Sequence, residues 1–197
     1  VMPDIAIIDG FPVVIWISNT ENDVFLSEGN TKIHKAIKKG SSWEITEVAG
    51  NLNGINSITI IEEDKSPAIY YSADTDGNFM TSDDCEIFKI KNNEVSQITQ
   101  NNVMDSYIVS FNNRVYWNSN GSVTNGTDTI SCENLNGSFC IVGDNNAAIV
   151  YTTFDNSGIE HFNVCYLSDD SWGCTTQLAS TENTIGGYAV NYSNGKI

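Results

Sequence analysis

The sharpest chemical motif in this 197-residue chain is the run Asp74-Thr75-Asp76-Gly77-Asn78, followed shortly by Asp83 and Asp84. Hard cations such as calcium take roughly six to eight oxygen ligands, and Asp and Asn at alternate positions around a Gly turn supply them. Ca2+ is therefore the one cofactor the sequence offers, with Asp74, Asp76, Asn78, Asp83 and Asp84 as its ligands. The run lacks the order and the spaced Glu of an EF-hand loop, so a solvated acidic turn accounts for it as well. Both readings stay open at the level of sequence.

Catalytic signatures are sparse. A site that grips a carboxylate substrate needs clustered arginines for bidentate contacts, and Arg114 is the only arginine in the chain. His34 and His161 have no metal-ligand spacing, and neither a nucleophile elbow nor a Gly-rich phosphate loop occurs. Glu21, Asp23, Asp155 and Glu160 add carboxylates that could pair for glycoside hydrolysis, but acids are common enough here to pair by chance. No residue is assigned a catalytic role, and the ligand-binding residues stay unassigned. The net charge of −16 repels a phosphate backbone and argues against nucleic acid as a partner. No apolar run is long enough for a membrane-spanning helix.

The elements that must carry these residues are short strands. Ile5–Trp16, Ile58–Tyr71, Tyr107–Trp117 and Cys140–Tyr151 each hold an apolar run, a polar turn and a second apolar run, and a fifth copy starts at Tyr188. Each copy reads as four strands, A to D, joined by Asn, Asp and Gly turns that tolerate positive φ. The repeats fall near 4–56, 57–105, 106–138 and 139–186, with a partial copy at 187–197. A strand-only repeat of this size predicts an all-β protein, a β-propeller or open propeller fragment of about four four-stranded blades plus a partial fifth. The aromatics Trp16, Tyr71, Trp117, Tyr151, Trp43 and Trp172 are expected in the core between blades. The long B–C connections, Asn19–Thr31, Asp74–Asp84 and Phe154–Glu160, are expected on one rim, where loop-borne function is usually placed.

Two of these runs, IHKAIKKGSSW and VCYLSDDSW, resemble blades of bacterial sialidase-like and lectin-like propellers. The segments NTENDVF…KIHKA and DTDGNFMTSDDCEIFKI are similar to repeats of large secreted or surface proteins of gut Firmicutes, some of which bear dockerin modules. The sialidase Asp-box is not intact, since Ser168-Asp169-Asp170-Ser171-Trp172 lacks its Gly and its spacing. The resemblance implies an extracellular or cell-surface propeller region belonging to a longer protein. Its expected role is non-catalytic binding of a carbohydrate or a protein through the B–C face. A glycosidase-like enzyme using rim carboxylates is the alternative, and a structural spacer the third reading.

Five cysteines leave one over in any pairing. Cys165 and Cys174 face each other across a hairpin, and the reading favours two small buried thiols there over a bridge. A ring cut open would expose the A strand Ile5–Ile8 and the B strand Val13–Ile17 at one end, and the strand Gly187–Tyr192 at the other. Self-association of the isolated chain is the expected consequence.

Overall fold

The computed structural model describes residues 3–19, 31–76, 81, 85–132, 135, 137–143, 147–168, 171–181 and 190, and for 167–181 the backbone alone. Among them are sixteen strands and no helix. The first sheet holds β1 (Asp4–Ile8), β2 (Phe11–Asn19), β3 (Thr31–Lys39) and β4 (Ser42–Leu52). The second holds β5 (Ser57–Glu63), β6 (Ser66–Asp74), β7 (Cys85–Lys91) and β8 (Glu94–Gln97). The third consists of β9 (Asp105–Phe111), β10 (Arg114–Ser119), β11 (Ser122–Thr124) and β12 (Thr129–Ser131). The fourth is β13 (Phe139–Val142), β14 (Ala148–Phe154), β15 (Glu160–Ser168) and β16 (Ser171–Thr181). Each sheet is four-stranded with its strands adjacent in chain order, the meander of a propeller blade. The chain divides into two compact units, Val1–Val115 and Tyr116–Ile197.

Turn chemistry explains why the strands end where they do. Asp9-Gly10, Asp64-Lys65, Asn92-Asn93, Asn112-Asn113 and Asn120-Gly121 all have positive φ at both central residues. That is the two-residue turn whose twist matches the flanking strands. The sequence places the first C–D turn at Lys39-Gly40, but Lys39 pairs with Ser42, so Gly40 and Ser41 make the turn one residue further on. The compressed stretch of the third repeat forms two three-residue strands joined at Asn125–Asp128. The turns at Asp144-Asn145 and Asp169-Asp170 lie outside the described residues.

In the first unit, the period-2 alternation of β2 sends Val13, Ile15 and Ile17 into a core shared with Ile58, Ile60, Ile69, Tyr71 and Ile90 of the second sheet. This corrects the expectation that the whole B strand lies uncovered, since only the alternate residues face outward. The register sets Ile5 opposite Val14, Val14 opposite Ala36 and Ala36 opposite Ile45, an apolar row across all four strands of the outward face. Ile5, Ile7, Trp43 and Ile45 are exposed by 62%, 61%, 45% and 63%. Trp43 is thus a surface residue and not the core aromatic expected. Trp16, on the same face, is half-buried and stacks on His34 at 5.2 Å, while Tyr71, Trp117 and Tyr151 are buried as expected. The side chain of Trp172 lies outside the described residues.

Side chains also tie the inner strands of this unit together. Asp4 Oδ2 accepts from Thr59 Oγ1 at 2.7 Å and from the Ile60 backbone N–H at 3.0 Å. One sheet on, Ser57 Oγ accepts from the Ile108 N–H at 3.0 Å. Tyr107, just before Ile108, has φ 51, a backbone state that costs an aromatic residue energy and needs such an anchor to persist. At the A–B turns, Glu62 Oε2 accepts from Asp9 N–H at 2.6 Å. Asn113 clasps the Glu62 backbone from the next sheet, accepting its N–H at 3.0 Å and donating to its carbonyl at 2.7 Å. On the second sheet, Glu63 accepts from Lys89 at 2.6 Å, Tyr70 at 2.7 Å and Lys91 at 3.2 Å. Burial alone would push the Glu63 carboxyl up, but these donors hold it below its ordinary value.

In the second unit, the fourth sheet has two apolar faces. Cys140, Val142, Ala148, Val150 and Val164 form one of them, and Val190 packs against it.

Candidate functional site

In a four-stranded meander the A–B and C–D turns share one end, and the B–C loops and D–A linkers share the other. The rim at the second end is built in the first unit from five pieces. They are the linker 53–56, the end of β6 at Asp74, the start of β7 at Cys85 and Glu86, the linker 98–104 and the start of β9 at Asp105.

Its carboxylates are occupied in building the rim. Asp74, Glu86 and Asp105 are 6%, 3% and 0% exposed. Asp74 Oδ1 accepts from the Asp76 N–H at 2.9 Å, closing the Asx turn that starts the B–C loop. Asp76 itself is exposed. Glu86 takes the Thr99 hydroxyl on Oε2 and the Asn101 N–H on Oε1 at 2.7 Å. The Asn101 side chain then donates to Asp105 Oδ2 at 2.9 Å, and Ser72 Oγ donates to the Asp105 carbonyl at 2.9 Å. Thr99 Oγ1 also accepts from the Ile87 N–H at 2.9 Å, which pins the linker to β7. Asp105 Oδ1 is buried with no hydrogen-bond partner among the described residues.

Gly54 is required for this packing. It has φ +37, and a Cβ there would stand 2.8 Å from Asp74 Cβ. Gly54→Ala is expected to cost about 2 kcal/mol or more, read as a fall in the denaturant midpoint with an unchanged slope.

In the second unit Asp155 organises the B–C loop in the same manner. Its Oδ1 accepts from the N–H groups of Ser157 at 2.8 Å and Ile159 at 3.0 Å, and its Oδ2 meets His161 Nε2 at 3.2 Å. The Ile159 N–H, then those of Ser157 and His161, hold its carboxyl below the ordinary range against the opposing effect of desolvation. Glu160 is buried beside it at the start of β15. The third sheet has no long B–C loop, only the tight Asn120-Gly121 turn.

Of the sequence-derived metal ligands, the structure brings Asp74 and Asp76 together in one turn, whereas Asn78, Asp83 and Asp84 lie outside the described residues, as do Glu21 and Asp23. Among the described residues no group of three His, Cys, Asp or Glu side chains stands close enough to hold a metal ion. Arg114 is exposed beside the Asn112-Asn113 turn, at the A–B end of its sheet and away from the rim. His34 is engaged with Trp16 and, through Nε2 at 2.7 Å, with Ser18 Oγ. Sequence reasoning missed the Glu86–Asn101–Asp105 network, because its members sit in a strand start, a linker and the next repeat. The Asn and Thr of the linker, residue types that bond locally to backbone, were the available signal.

Cysteine chemistry also departs from expectation. Cys85, Cys132 and Cys140 form no disulfide, but Cys165 is disulfide-bonded, and the register sets Cys174 directly opposite it. Directly opposed residues of an antiparallel pair lie within the Cα range a disulfide spans, and the bulge between Val164 and Cys165 gives the backbone local freedom to adapt.

The sequence matches no family model and no curated protein. Among solved structures, the chain is similar to the sialidase of Trypanosoma rangeli in complex with sialic acid, with 12% identity over 88% of this chain and a TM-score of 0.51. It is also similar to the fucose-specific lectin of Aleuria aurantia, with 13% identity over 90% of the chain and a TM-score of 0.44. The chain spans 37% of the sialidase's length and 59% of the lectin's. At such identity the sialidase likeness is one of architecture, and with four meander sheets it gives the fold: a β-propeller.

Proposed function

We propose that the chain is a non-catalytic propeller module of a longer extracellular or cell-surface protein, one that binds a carbohydrate or protein ligand through its B–C rim. The observation that carries this reading is the use of the rim carboxylates: Glu86 and Asp155 each accept two or more hydrogen bonds that shape loops. Such groups shape a fixed, preorganised surface. The single arginine at the opposite end of its sheet agrees with binding without the carboxylate clamp of a sialidase. A disulfide at Cys165 supports an oxidising compartment, and a bacterial source among gut Firmicutes rests on the sequence resemblance alone.

A glycan array that includes sialosides tests the ligand class. Retention of a glycan that is lost when the Phe154–Glu160 loop is replaced by a Gly-Ser segment of equal length supports the rim. Silence across glycans and protein ligands favours a spacer.

Two further features belong to this reading. Calcium at the Asp74–Asp84 loop should raise the melting temperature of the unmutated chain, increasingly with calcium concentration, because a ligand of the native state stabilises it by mass action. Equal melting curves in calcium and in chelator remove the metal. The exposed row of Ile5, Ile7, Trp43 and Ile45 should drive the isolated chain to pair. Light scattering at micromolar concentration should then give a dimer, and Ile45→Lys should return it to monomer.

A further inference from the structure

Cys132 lies just after β12 in the second unit, buried, with its Sγ 3.6 Å from Cys165 Sγ. Cys165 is already disulfide-bonded and carries no proton, so the Cys132 thiol is the donor in this contact. A free thiol therefore rests in contact with one sulfur of an existing disulfide. The other free cysteine of this unit is placed differently. Cys140 pairs with Val150, and Val150 with Val164, which puts Cys140 on the opposite face of the fourth sheet from Cys165. The contact thus singles out one attacking sulfur.

We propose that Cys132 and the Cys165–Cys174 bridge form an internal thiol–disulfide exchange site, in which the fourth sheet's hairpin clip converts to a tie between the third and fourth sheets. By elimination and by register, Cys174 is the partner that Cys165 holds at the start. Cys132 Sγ loses its proton and attacks Cys165 Sγ. The bond between Cys132 and Cys165 forms as that between Cys165 and Cys174 breaks. The electron pair leaves on Cys174 Sγ, which takes up the proton. One disulfide and one thiol are present before and after, so no outside oxidant or reductant is consumed.

The speed is limited by the thiolate. Burial pushes the Cys132 thiol up to about 11, partly offset by a hydrogen bond from the Val123 backbone. Exchange should therefore be slow at neutral pH and accelerate about tenfold for each pH unit up to that range. The outcome is a β16 hairpin released from its clip and a β15 strand locked to its neighbour.

Disulfide mapping on the full chain tests this. Samples held at pH 7 and at pH 9.5 are acid-quenched, alkylated and digested, with circular dichroism confirming a folded chain. The expected result is a Cys132–Cys165 peptide accompanied by alkylated Cys174, growing at least a hundredfold faster at pH 9.5. Cys132→Ser should abolish both products. Detection of only the Cys165–Cys174 bridge at either pH would overturn the proposal, as would equal capture of Cys165 by Cys85 or Cys140. Cys174→Ser gives an independent check, since the folded variant should form the Cys132–Cys165 bridge with oxidised glutathione as oxidant. Two freely alkylated thiols in that folded variant would also overturn it.

Discussion

Ile15→Ala is expected to lower the stability of the chain by about 2–5 kcal/mol. Ile15 is fully buried on the face of β2 that packs against the second sheet, among Val13, Ile17, Ile60 and Ile69. Truncation removes the transfer free energy of its outer carbons and leaves a void that two hydrogen-bonded sheets cannot collapse to fill. Val14→Ala, one residue away on the outward face, should cost well under half as much. A chemical denaturation series with both variants checks the contrast. Equal losses at the two positions would mean that the faces of β2 are assigned the wrong way round.

Glu86→Ala should cost about 3 kcal/mol. The substitution leaves the Asn101 N–H without its acceptor and removes the partner of the Thr99 hydroxyl, and hydrogen bonds to a charged group contribute more than neutral ones. The effect should spread along the linker 98–104, since Asn101 also holds Asp105. Amide exchange at Asn101 and Val103 should therefore rise more than at core amides such as Ile60. Glu86→Gln keeps one carbonyl acceptor and should lose less than half as much stability. An alanine variant with unchanged exchange in the linker would show that the network does not hold this rim.

Most of the fold was legible because strand repeats announce themselves through two local signals, apolar alternation and turn residues. Strands such as Asp4–Ile8, Cys85–Lys91 and Arg114–Ser119 are bounded by nothing more than a turn on one side and a polar run on the other. What sequence could not convey was which face of a strand finds a partner. Trp43 looks like a core aromatic, yet it lies on the side of the first sheet where an apolar row remains exposed. The site was less legible for a related reason. Asp74 stands out in a run of acids, but its role depends on Gly54 approaching from another linker, and Glu86 depends on Thr99 and Asn101 folding back onto it. Cys165 is disulfide-bonded, and the register that sets Cys174 opposite it is one a sequence conveys only through both turns.

The most direct test of a binding module without turnover is to measure both properties on one sample. The purified chain is held at high concentration with a panel of polysaccharides and sialosides, and retained ligand and released reducing sugar are read together. The expected result is retention of at least one ligand, weakened by exchange of the rim loop, with release no greater than in buffer. Sugar release above that level, abolished by replacing Asp155 and Glu160 with their amides in a chain that still folds, would contradict it.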